Sequence, residues 1–118
     1  MNPRDTIAEM LGYEREVDRW ICPNGLVYGY AHPIPNSLDF ISRAWPDGTA
    51  WWKDGSEEEF VATARSSVGI IASEPHTGDE LADRMALYAK VLEWLRYHDR
   101  PAFDAAIAKA RRVMEEMR

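Results

Sequence analysis

The chain has a single cysteine, Cys22, so no intramolecular disulfide can form, and a lone thiol fits a reducing compartment. It has no apolar run near the roughly 18 residues a membrane helix needs, and no apolar core of signal-peptide length follows Met1. The expected setting is cytoplasmic, with no membrane contact. Paired metal ligands at short spacing, as in H-E-x-x-H or C-x-x-C, are missing. So are a Walker-type glycine loop, G-x-G-x-x-G and G-x-S-x-G. No motif therefore supports nucleotide or acyl chemistry, and the expectation is no catalytic residue, no metal and no cofactor. Basic charge is also scarce: the net charge is −6, which disfavours nucleic-acid phosphates and suits a basic partner. The exception is the locally basic segment from Arg100 onward. Internal repeats and Gly/Ser linkers are absent, so residues 1–118 read as one domain.

What the sequence does have is aromatic side chains, five of them tryptophan, in 118 residues. A domain of that length hides about two-thirds of its unfolded surface and needs no covalent staple. Asp5 is a candidate cap for a short helix through Ile7, Met10 and Leu11 that stops at Gly12. "VDRWICPNGLVYGYA" alternates, breaks at Pro23-Asn24-Gly25 and resumes, predicting a β-hairpin near 17–31. In "HPIPNSLDFISRAWPDG", Asn36 or Ser37 caps a helix carrying Leu38, Phe40, Ile41 and Ala44, which Pro46 ends at Trp45. A second hairpin is expected near 49–65 around Asp54-Gly55, and "VGIIAS" reads as a further strand. For 57–68 the rival reading is a helix, because Ser56 and Glu59 have capping-box spacing.

Two long helices follow. Over 79–98, one stripe holds Leu81, Met85, Tyr88, Leu92 and Leu95, and another holds Leu87, Val91, Trp94 and His98. Two stripes require two neighbours. One is supplied by 101–117, where Phe103, Ile107, Ala110, Met114 and Met117 repeat the spacing after Pro101; the short connection predicts an antiparallel helix hairpin. A dimerising coiled coil normally needs more heptads. The fold class is α+β: a small antiparallel sheet packed with N-terminal helices and the C-terminal helix hairpin.

"TAWWKDGSEEEF" poses the sharpest question, since adjacent strand residues point to opposite faces. Uniting the apolar sets places Trp52 in the core with Phe60, Ala62 and Ala64, and leaves Trp51 on the wetter face with Thr49 and Lys53. There Trp51 is either covered by Val61, the Arg65 stem and an N-terminal helix, or exposed as an interface anchor. Asp54, Glu57, Glu58 and Glu59 form the densest charge run, a solvated turn or an acidic patch that meets a basic surface. Trp51 and these four carboxylates are the candidate partner-binding residues.

The remaining candidates are sparse. His76 lies near Asp79 and Glu80 in "HTGDE", where Thr77 or Asp79 also serves as a helix cap; a cleft built from His76, Asp79 and nearby tyrosines is the enzymatic alternative. Cys22 with His32 is a conceivable nucleophile pair, although a cysteine before a turn more often packs. Lys109, Arg111 and Arg112 suggest a nucleic-acid contact through the terminal helix, with Glu115 and Glu116 opposing it.

"TIAEMLGY", "RWICPNG", "PNSLDFISRAWPDGTAW" and "TGDELADRMALYAKVLEWL", in that order over roughly residues 6 to 97, resemble small phage and prophage proteins with the phage ABA (α-β-α) sandwich domain. The resemblance implies a phage setting and an α-β-α arrangement, and carries no catalytic residues. Together these features lead to a non-enzymatic accessory protein, monomer or homodimer. It would bind a host or phage protein with a basic surface, such as a host defence or nucleic-acid-handling factor that it inhibits.

Overall fold

Local capping chemistry sets most element boundaries. The computed structural model describes residues 2–118. The Asn2 side chain accepts the Asp5 N–H and starts α1 (Pro3–Met10), with Pro3 in the first turn, where a missing N–H costs nothing. The cap is thus Asn2 and not Asp5, which lies one turn inside and is free for other partners. Gly12, at φ +93°, turns the chain out after Leu11. Ser37 accepts the Phe40 N–H and starts α2 (Leu38–Ala44).

The first hairpin region becomes a three-stranded antiparallel meander of β1 (Glu14–Glu16), β2 (Arg19–Ile21) and β3 (Val27–Gly29). The β2–β3 connection runs through Pro23-Asn24-Gly25, where Gly25 has φ +86°. Val17, expected in a strand, instead occupies the tight β1–β2 turn at φ 56°. This conformation strains a β-branched residue.

A second antiparallel sheet follows, β4 (Thr49–Asp54), β5 (Glu59–Ala64) and β6 (Ile70–Pro75) in that spatial order. The segment 57–68 is therefore not helical. Ser56 does not cap a helix because its N–H and O–H both go back to the Asp54 carboxylate, at 3.0 and 2.7 Å. That closes a turn and sends Phe60, Ala62 and Ala64 into a strand with one buried face.

Asp79 accepts the Ala82 N–H and caps α3 (Glu80–His98). Asp99 has two jobs: its N–H donates to Leu95 O at the end of α3, and its side chain accepts the Ala102 N–H to start α4 (Arg100–Glu116). One residue thus makes the sharp reversal of the helix hairpin.

As its two stripes require, α3 is central: β5 and β6 lie on one flank, and α1, α2 and α4 pack around the rest. Leu87, Tyr88, Val91, Leu92 and Leu95 are buried in it, against Phe103, Ile107, Ala110 and Met114 of α4. The second sheet is therefore an outer layer. An α-β-α arrangement that buries both indoles of this sheet is not found among the described residues, since Trp52 is 43% exposed.

Tyr88 is fully buried between Phe40 and Trp45, and its hydroxyl has no hydrogen-bond partner among the described residues. Burial pushes its ionisation well above the ordinary tyrosine value. An unpaired buried hydroxyl costs about 1 to 3 kcal/mol, so Tyr88→Phe is expected to leave stability unchanged or raise it by about 1 kcal/mol in urea denaturation. A loss above that amount would show that the hydroxyl is paired.

Candidate functional site

The turn between β4 and β5, residues 55 to 58, pairs Asp54 with Glu59, and every later pair inherits that register: Lys53 with Phe60, Trp52 with Val61, Trp51 with Ala62. Odd positions of β4 therefore face even positions of β5. Directly paired residues share a face, so Trp51 joins Phe60, Ala62 and Ala64 on the helix side, while Trp52 joins Val61 and Thr63 on the other. This reverses the expected assignment of the two tryptophans. The expectation united apolar sets by composition, whereas turn length decides parity.

Trp51 is half-buried, with ring centroids 6.3 Å from Trp45 and 6.0 Å from Phe60. The Arg84 guanidinium from α3 lies 4.3 Å from its ring centre, a cation–π contact that closes its remaining side. Trp51 is thus covered, one of its two expected fates, but by Trp45, Phe60 and Arg84 of α3 rather than by Val61 and the Arg65 stem.

Trp52 is 43% exposed. It lies beside Val61, which is only 1% exposed although it is not among the residues of the main hydrophobic core. Ile70, paired with Thr63 across the β5–β6 bulge, is 58% exposed on the same side. Trp52, Ile70 and Thr63 thus form an open sheet face around a sealed Val61.

The acidic residues border this face. Asp54 and Glu59 share it at the turn end, directly opposite each other, and Glu57 and Glu58 are exposed in the turn. The Ser56 hydroxyl and N–H hold the Asp54 carboxyl below its ordinary range, so it stays charged. Like charges directly opposite on a sheet repel, and a cation placed between them relieves that repulsion. Of the five candidate residues, the structure groups the four carboxylates and turns Trp51 to the other side of the sheet; the exposed apolar side chains on their side are Trp52 and Ile70. The usable signal was the length of the 55–58 turn.

The histidines are built into the scaffold. His32 Nε2 lies 2.8 Å from Asp5 Oδ1, while Arg15 pairs with the other carboxylate oxygen, Oδ2, and the His32 Nδ1 accepts the Ile34 N–H at 3.1 Å. His76 meets Asp83 rather than Asp79 or Glu80, because Asp79 is occupied as the cap. His98 stacks on Trp94 with 4.5 Å between ring centres. None of the three lines any of the five main surface cavities, whereas a small-molecule site is normally concave. Cys22 lines the groove between the β2–β3 turn and α4 with Tyr13, Arg111 and Arg118, away from His32.

In the terminal helix, Lys109 donates to Trp45 O and Asp47, both at 2.8 Å, and Arg111 donates to Leu11 O at 2.9 Å. Two of the three cations proposed for phosphate contact are thus engaged in holding α4 to the fold.

No protein-family model matches this chain, and neither a curated protein nor a solved structure matches it.

His32 yields a pH prediction. Burial, helped by nearby Arg4 and opposed by Asp5, holds its pKa below the ordinary imidazole value, and protonating Nδ1 destroys the acceptor for Ile34. The unfolded chain then binds the proton more readily, so this contribution is full above about pH 6.5 and is lost as pH falls toward the folded pKa. The urea midpoint should drop between pH 7.5 and about 5.5, and His32→Gln should flatten that drop. An equal slope in both proteins would assign it elsewhere.

Proposed function

We propose that the protein acts by binding another protein through the open face of the β4–β5–β6 sheet, with Trp52 as anchor and Asp54, Glu57, Glu58 and Glu59 as an acidic border. The observation that carries this reading is Trp52 itself, a large indole left 43% exposed on the edge strand β4, on the face of the sheet opposite the helix-side core. Tryptophan is over-represented among residues that dominate binding energy, and exposed apolar surface bordered by polar groups marks interaction sites. The partner it fits has an apolar or aromatic centre flanked by arginine or lysine.

The resemblance of residues 6 to 97 to phage ABA sandwich proteins supports a biological setting: a phage or prophage accessory protein that inhibits a host defence or nucleic-acid-handling factor. The reading is non-enzymatic; for the nearest rival, a His/Asp cleft, His76 lines none of the five main cavities among the described residues.

The test is affinity capture from host lysates with wild-type and Trp52→Ala baits, followed by titration of the purified partner. Trp52→Ala should weaken binding by about 2 kcal/mol or more, roughly thirtyfold. Glu57→Gln with Glu58→Gln should chiefly slow association and flatten its salt dependence. Equal affinity of wild-type and Trp52→Ala proteins for the same partner would overturn the assignment.

A further inference from the structure

At the end of the second sheet, on the helix-facing side and away from the open face, three chain segments bring together Lys53, His76 and Asp83. Asp83 is the one buried charged side chain among the described residues. Its oxygens accept the Thr77 hydroxyl at 2.7 Å and the Thr77 N–H at 2.8 Å, and one lies 3.3 Å from His76 Nδ1. Burial alone raises the Asp83 pKa, but the Thr77 and His76 contacts outweigh it and hold the group below its ordinary range. A charged carboxylate is an acceptor only, so the neutral His76 imidazole carries its proton on Nδ1 and presents the Nε2 lone pair on its other side. That lone pair meets the Lys53 ammonium, with Nζ 3.2 Å from Nε2. The Phe60 ring stands edge-on to the imidazole, 5.2 Å between centres, and fixes its plane.

The other two lysines differ. Lys90 is bound by Glu74 and Ser73 O, and Lys109 by Asp47 and Trp45 O. Both pairs stabilise the protonated ammonium. Lys53 has no carboxylate within 4.0 Å among the described residues and faces a base instead.

We propose that Lys53 is a covalent modification site that accepts acyl groups from activated donors such as thioesters, with His76 as its base and Asp83 as the residue that positions the base. His76 Nε2 takes a proton from the ammonium, and the neutral amine attacks the thioester carbonyl. The N–C bond forms as the C–S bond breaks, the thiolate leaves and takes up the proton held by the imidazolium, and the second amine proton passes to solvent. The product is an amide with the Lys53 charge removed. No oxidant or reductant is involved.

The experiment incubates the full chain with the S-acetyl thioester of N-acetylcysteamine and follows acetylation at Lys53, Lys90 and Lys109 by peptide mass spectrometry. Lys53 should react at least about tenfold faster than either other lysine, the lower range of general-base assistance. His76→Gln should remove that advantage while leaving the Lys90 and Lys109 rates unchanged. Because Lys53 is also exposed, persistence of its advantage in His76→Gln would assign it to exposure and overturn the proposal. The wild-type chain unfolded in guanidinium chloride provides a control that needs no variant: the three rates should converge. Similar rates at the three lysines in the native protein would equally overturn the proposal.

Discussion

Trp51→Ala is expected to destabilise the protein by about 3 kcal/mol, whereas its neighbour Trp52→Ala should cost about 1 kcal/mol or less. Trp51 packs on Trp45 and Phe60 and is capped by Arg84. Its removal opens a cavity between the sheet and α3 and strips a partner from the guanidinium. It is only half-buried, which places the loss at the low end for large aromatic truncations. Trp52 shields Val61 from one side, and its outer surface is already in water. Urea denaturation of the two variants, with the slope of the transition checked for constancy, measures the difference. A larger loss for Trp52→Ala would mean that the β4–β5 register is shifted by one residue. Paired with the capture experiment, the two variants separate roles: Trp51→Ala weakens the fold, and Trp52→Ala weakens binding.

Deleting residues 101 to 118 is expected to abolish cooperative folding. The helix α4 supplies Phe103, Ala106, Ile107, Ala110, Val113 and Met114 to the buried core, and without them one flank of α3 becomes a contiguous apolar surface that promotes association. It also ties the other elements together. Lys109 holds Trp45 O at the end of α2, Arg111 holds Leu11 O at the end of α1, Arg43 pairs with Glu116, and Arg118 donates to the Tyr13 hydroxyl beside the first sheet. Far-UV circular dichroism should retain some helix while the near-UV aromatic signal and the thermal transition disappear, and size-exclusion chromatography should show aggregates. A monomer with an unchanged Tm would refute the central placement of α3.

The open face and the Lys53 cluster lie on opposite sides of the same sheet, because the alternation that exposes Trp52 sends Lys53 toward His76. Acylation at Lys53 and binding through Trp52 are therefore separable. Lys53→Arg leaves the open face intact, and Trp52→Ala leaves the His76 contact intact.

The sequence by itself determined the α+β class, the two long helices and the reversal between them, because stripes at helical spacing, a cap at Thr77 or Asp79, and the break before Pro101 are local signals that tertiary packing did not override. It also placed the turns at Asn24-Gly25 and Gly55 and located the acidic run from Asp54 to Glu59. Only the tertiary structure decided which of two adjacent indoles is inside. Strand faces alternate with a period of two, and the choice rests on the parity of the turn and on α3 lying against one face only. The same long-range packing brought Asp83 and Lys53 to His76 from two separate elements, 7 and 23 positions away along the chain. Spacing in the sequence had pointed to Asp79 instead, but that carboxylate is drawn into the helix cap by the unpaired N–H groups of α3's first turn.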